Sequence, residues 1–128
     1  EKALQLDQRA PVAANNLAWN YANGGGNLDL ALQLAQTAKT QMPNNPEVSD
    51  TLGWVYYKKG LTPSAITALR EGLSQDKKSP ALHYHLGLAY AQNGDKQEAR
   101  ESLEEALRLD PHFADAEDAK RVLASLKG

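Results

Sequence analysis

The chain contains no cysteine, one methionine and one phenylalanine among 128 residues. Without thiols there is no disulfide, no cysteine nucleophile and no Cys-ligated zinc. A cysteine-free chain suits reducing and oxidising surroundings alike, so the compartment, cytoplasm or periplasm, stays open. No uninterrupted apolar run approaches the roughly 18 residues of a membrane span, which argues against direct membrane insertion. No basic run is present either. Lys and Arg number 14 against 16 Asp and Glu, so neither nucleic acid nor an anionic bilayer has a cationic footprint to bind. The sequence opens on Glu1-Lys2-Ala3-Leu4, without an initiator Met or an apolar signal segment, and is expected to be an excised piece of a longer protein.

What is present suits a folded domain. Hydrophobic residues make up 41% and charged residues 23%, close to globular averages, so a core can be buried. The dominant signal is internal repetition. Leu52-Gly53-Trp54-Val55-Tyr56-Tyr57 returns as Leu86-Gly87-Leu88-Ala89-Tyr90-Ala91, 34 residues later. The same offset links Gly60 to Gly94, Ala65 to Ala99 and Leu69 to Leu103. Upstream, Leu17-Ala18-Trp19-Asn20-Tyr21 matches with an offset of 35, while Ala31 to Ala65 returns to 34, so one extra residue lies between Tyr21 and Ala31. Gly24-Gly25-Gly26 is the natural place for it.

Each unit reads as two amphipathic helices joined by a tight turn, with a glycine near the end of the first helix where positive φ is cheap. The pattern predicts helices near 11–23 and 28–41, 46–59 and 62–75, then 80–93 and 96–109. Pro46, Pro63 and Pro80 fall near helix starts, where a missing N–H costs little. Pro43 and Pro111 fall just past helix ends. Thr62 and Asp95 are expected as N-caps, with Glu98 completing a capping box on Asp95.

These residues resemble the tetratricopeptide repeat (TPR) family, whose 34-residue pattern asks for Leu, a small residue and Tyr in the first helix and two small residues in the second. Leu17, Ala18 and Tyr21 fill the first-helix places in one unit, Leu52, Gly53 and Tyr56 in the next, and Leu86, Gly87 and Tyr90 in the third. Ala31 with Ala38, Ala65 with Gly72, and Ala99 with Ala106 fill the second. The resemblance implies an all-α, right-handed α-solenoid of three helix pairs at 11–45, 46–79 and 80–113. Residues 1–10 align with the tail of a preceding unit's second helix. Residues 114–128 carry the apolar stripe Ala116, Ala119, Val122, Leu123 and Leu126, opposite a face of Glu117, Asp118, Lys120 and Arg121. That is the pattern of a C-terminal capping helix.

Catalytic, cofactor and metal sites find no support in the sequence. His83 and His85 are two apart on a helix and point about 200° away from each other, so they cannot share a metal. A structural role fits His83, and His112, beside Pro111, reads as solvated. There is no Gly-x-Ser-x-Gly elbow, Walker loop or His-Glu-x-x-His pair. The glycine triplet lacks a preceding strand and a nearby lysine, and reads as a turn rather than a phosphate cradle.

The family resemblance implies a non-catalytic scaffold for protein–protein interaction, taking a peptide or a partner helix in a concave groove lined by the first helices. Carried over, the groove positions hold Asn15, Trp19, Glu47, Asp50, Trp54, Tyr57, Tyr84 and Leu88, bordered by Asn23, Lys58 and His85, with Asn16 and Thr51 beside them. Both tryptophans occupy the same place in consecutive units, and either meet the ligand or pack against the next repeat. TPR domains that grip the C-terminal carboxylates of heat-shock chaperones use Lys, Arg and Asn at places that here hold Asn15, Trp19, Thr51, Ala81 and His85, so chaperone-tail binding is not expected. The groove reads as aromatic and mildly acidic. Two other expectations stand beside this one: weak self-association through the array ends, and a docking role within a larger bacterial protein. The run from Leu52 to Gly60 is similar to TPR segments of bacterial proteins, some of them exported and linked to surface polysaccharide.

Overall fold

The computed structural model describes residues 9–126; of the remnant expected at residues 1–10, residues 1–8 lie outside them, and residues 9–10 instead open the first helix of the following pair. Among the described residues there are seven helices and no strand: α1 (Arg9–Asn23), α2 (Leu28–Gln41), α3 (Pro46–Lys58), α4 (Thr62–Gln75), α5 (Pro80–Gln92), α6 (Lys96–Leu109) and α7 (Ala116–Ser125). The spacing places six of the seven to within two residues at each end. α1 pairs with α2, α3 with α4 and α5 with α6, and each second helix packs on the next first helix. α7 packs on α6 as the expected cap.

The turns explain the offset. Two turns place a glycine at positive φ directly after the C-cap residue, Gly60 at 80° after Lys59 and Gly94 at 87° after Asn93, with three residues between helices. The first turn has four residues, Gly24 to Asn27, and Gly25 takes the positive φ of 74°. The extra residue of the first unit is accommodated there.

Two capping expectations are corrected. Leu61, not Thr62, occupies the N-cap position of α4, and no side chain caps that helix. Thr62 Oγ1 donates instead to Gln92 Oε1 at 2.7 Å, a bond between units that takes the hydroxyl away from the helix end. Asp95 does occupy the N-cap position of α6, but its carboxylate makes no capping bond. It accepts from Asn93 Nδ2 at 2.8 Å. The side chains that do cap helices are Asn27, Asn45 and Ser79, whose oxygens accept from backbone N–H groups of the first turns that follow.

The core is built where small residues let helices approach. A Cβ on Gly53 would meet Leu69 Cγ at 2.5 Å, and one on Gly87 would meet Leu103 Cδ2 and Cγ at 2.7 Å. Leu69 and Leu103 are fully buried. In the first unit the corresponding pair is Ala18 and Ala35, both fully buried. Each unit therefore fills the same gap in one of two ways, glycine facing leucine or alanine facing alanine.

The first helices touch one another along the array, α1 with α3 and α3 with α5, whereas α2, α4 and α6 have no comparable contact. The first-helix side is therefore the shorter, concave side. Outside it, Lys39 Nζ joins three elements, donating to Pro43 O at 2.7 Å, to the fully buried Ser49 Oγ at 2.9 Å and to Glu71 Oε2 at 2.9 Å. No helix among the described residues is long and apolar enough to cross a membrane.

Candidate functional site

The concave face is held together by one polar bond at each junction of first helices. Trp54 Nε1 donates to Asn23 Oδ1 at 2.8 Å, joining α1 to α3. His85 Nδ1 and Asp50 Oδ1 lie 2.6 Å apart, joining α3 to α5. An ionised carboxylate only accepts, so the imidazole nitrogen donates. The Tyr84 hydroxyl donates to Asp118 Oδ2, joining α5 to α7. Asp118 also takes the Arg121 guanidinium on its other oxygen. The sequence assigns Asp118 to the solvent-facing side of the capping helix. The fold instead turns it onto Tyr84, because α7 takes the place of the next first helix.

These bonds shape the electrostatics. The Tyr84 hydroxyl bond, aided by Arg121, outweighs burial and holds the Asp118 carboxyl below the usual range. Burial, the bond to Asp118 and nearby negative charge push the Tyr84 phenol well above its ordinary value. Burial first and Asp118 second raise Tyr57 as well.

An aromatic cluster fills the middle of the face. Trp54 stacks on Tyr57 with ring centroids 5.0 Å apart, and packs against His85 at 4.6 Å and Trp19 at 5.9 Å. Lys58 Nζ sits 5.1 Å over the Trp54 ring. Trp54 is only 9% exposed, so it packs internally. Trp19 and Tyr57 remain half-buried. Tyr84, His85 and Leu88 are buried beneath this layer, and Tyr84 meets Phe113 edge-on at 5.7 Å. Asn23, Glu47 and Lys58 are exposed, and Asn15 and Asp50 lie between. Of the residues the sequence places in the groove, the outer layer is thus Asn15, Trp19, Asn23, Glu47, Asp50, Tyr57 and Lys58. Trp54, Tyr84, His85 and Leu88 support it.

A cleft of about 270 Å³ opens at the N-terminal end of the first helices, between Asn15, Trp19, Glu47, Asp50, His85 and Asp115, with Asn16, Thr51 and Ala81 completing its wall. A second cleft of about 240 Å³ shares Glu47, Asp50 and Ala81 and adds Asp76. Asp115 escapes the repeat pattern because it belongs to the turn before α7; only the alignment of the capping helix with a fourth first helix could have found it. A larger depression of about 370 Å³ lies between α3 and α4, lined by Leu52, Tyr56 and the Pro63 to Glu71 side of α4, apart from these residues. His83 bonds the Lys77 carbonyl through Nε2, and His112 is exposed. Among the described residues no three His, Asp or Glu side chains converge as a metal site.

Comparison with known proteins gives a sequence match and a shared fold. Residues 51–112 match the sequence model described as Tetratricopeptide repeat. The general transcriptional corepressor ssn6 of Schizosaccharomyces pombe is 33% identical over 86 residues, which is 66% of this chain but 8% of that protein. The chain therefore spans less than a tenth of that relative. The type III secretion translocator chaperone SycD of Yersinia enterocolitica superposes with a TM-score of 0.83 at 21% identity, over 98% of this chain and 90% of SycD. PcrH, in complex with the chaperone binding region of PopD, superposes with a TM-score of 0.82 at 22% identity, over 94% and 93%. At these identities the two structures speak for the fold. With seven helices in the expected pairing, the described residues have the tetratricopeptide repeat fold, and residues 51–112 carry that family's sequence pattern.

Proposed function

We propose that this chain is a non-catalytic protein-interaction module whose concave groove takes an extended peptide or a partner helix. The observation that carries this reading is the aromatic layer. Trp19 and Tyr57 offer part of their ring surface on a face that no other element of the described chain covers, and both rest on a rigid, hydrogen-bonded floor of Trp54, His85 and Tyr84. Large aromatics held rigid at the centre of a concave face are the usual anchors of binding energy, because little entropy is lost when a partner covers them. PcrH, similar in fold, is described with a segment of another protein bound.

A displayed-peptide selection on the chain tests this reading, run beside a Trp19→Ala, Tyr57→Ala variant shown by circular dichroism to stay helical. Enrichment of a shared motif by the parent chain and not by the variant is the expected result. Equal enrichment by both, or none by either, overturns it.

A second reading is favoured by one observation at the array end. Leu17 is 42% exposed, whereas its equivalents Leu52 and Leu86 are 8% and 5% exposed under the preceding units. Val12, also on α1, is 44% exposed. This apolar end supports weak self-association, or docking of the chain within a larger protein, with α1 as the contact face. A mass that rises with concentration, and stays constant in a Leu17→Gln variant, is the expected result.

A further inference from the structure

Resting on the peptide-groove reading, we propose that the cleft at the N-terminal end of the first helices receives the guanidinium of an arginine side chain from the bound partner. Glu47 and Asp50 from α3 and Asp115 from the turn before α7 face this cleft, and the adjoining cleft adds Asp76. No lysine or arginine lines either one. Among the described residues, Glu47, Asp76 and Asp115 have no salt-bridge partner, so their charge is left for a ligand. Carboxylates along a concave wall focus a negative potential into the space between them.

Two further features select the kind of cation. Asn15 Oδ1 lies in the same wall, is out of solvent and receives no hydrogen bond, so a donor is wanted there. Trp19 supplies an aromatic wall, over which a planar cation stacks favourably. The acidic groups do not converge closely enough to chelate a metal ion. Their spread suits a larger, delocalised cation carrying several N–H donors in a flat fork, which is a guanidinium rather than an ammonium.

The test is a two-dimensional NMR titration of the full chain with N-acetyl-arginine amide, beside the neutral isostere N-acetyl-citrulline amide and N-acetyl-lysine amide. Single side chains bind weakly, so saturation is expected in the millimolar range. The expected result is saturable shifts at the Trp19 indole N–H and the Asn15 side-chain amide with the arginine probe, and about tenfold weaker binding of citrulline and lysine. A Glu47→Gln, Asp115→Asn variant, exposed at both positions and checked for helicity, is expected to lose about tenfold in affinity for arginine. Equal binding of citrulline or lysine, absence of shifts at these two side chains, or an unaltered variant overturns the proposal. If selected peptides depend on Trp19 and Tyr57 yet show no arginine preference, the groove reading stands and this inference alone fails.

Discussion

Trp54 Nε1 lies 2.8 Å from Asn23 Oδ1, so the one polar atom of the innermost groove aromatic is tied to the last residue of the preceding unit's first helix. Truncating Asn23 leaves that N–H without its protein acceptor while all ring contacts remain. Asn23→Ala is expected to cost about 1 kcal/mol, the net worth of one such bond. Trp54→Ala is expected to cost about 3–5 kcal/mol, because a buried ring is lost. Urea denaturation followed by helix signal measures both; a costless Asn23→Ala would place the bond outside the stability of the junction.

Gly53 and Leu69 form a second dependent pair. A methyl added at Gly53 runs into Leu69 at 2.5 Å, so Gly53→Ala is expected to destabilise by about 1–3 kcal/mol. Leu69→Ala alone opens a cavity and is expected to cost about 2–5 kcal/mol. The double variant reproduces the Ala18 and Ala35 arrangement of the first unit and is expected to lose less than the sum of the two. Strict additivity in a denaturation cycle would show that the first unit's solution does not transfer.

Acid sensitivity is expected to pass through Asp118. Its carboxyl is held below its ordinary value chiefly by the Tyr84 hydroxyl, so the folded state favours the charged form more than the unfolded chain does. The stabilisation is therefore complete above the ordinary aspartate range, near 3.9, and fades as the pH falls toward the lowered folded value. Asp118→Asn removes that component, so the parent and variant stability curves should converge at low pH and separate above it. Parallel curves across the acid range would count against the assignment. Tyr84→Phe adds a complementary test at the alkaline end. The raised phenol destabilises the fold only once the pH exceeds the unfolded tyrosine value near 10, and phenylalanine abolishes that loss.

Lys39 binds three acceptors, one in the loop after α2, one on α3 and one on α4, while its side chain is only 17% exposed. Lys39→Met keeps the apolar stem and strands Ser49 Oγ in the interior. A loss of about 1–3 kcal/mol is expected, larger than for an exposed ion pair, because a buried polar group loses its partner. If salt titration of the parent erases the difference, the bond to Glu71 alone accounts for it.

Much of this was legible in the repeat. The 34-residue spacing, the glycines at Gly60 and Gly94 and the small residues at Ala31, Ala65 and Ala99 specify helices, turns and core, because each acts within a unit or at a fixed step from it. The outer and inner layers of the groove were not separable, since Trp19 and Trp54 occupy the same repeat position and differ only in what the following unit places over them. The packing of His85 on Trp54, and the bond between Asp118 and Tyr84, depend on how neighbouring first helices rotate against one another, which a linear period does not encode. The Thr62 cap failed for the same reason: a partner 30 residues away competes with the local backbone for its hydroxyl.

The three bonds along the concave face use three different chemistries, indole to amide, imidazole to carboxylate and phenol to carboxylate. Units that share a backbone plan are therefore not interchangeable. Exchanging the second and third would set Asn23 opposite Leu88, which has no donor, and would separate Asp50 from His85. The order of the array is written into its seams, and a shuffled chain of identical composition would fold its pairs yet mismatch where they meet.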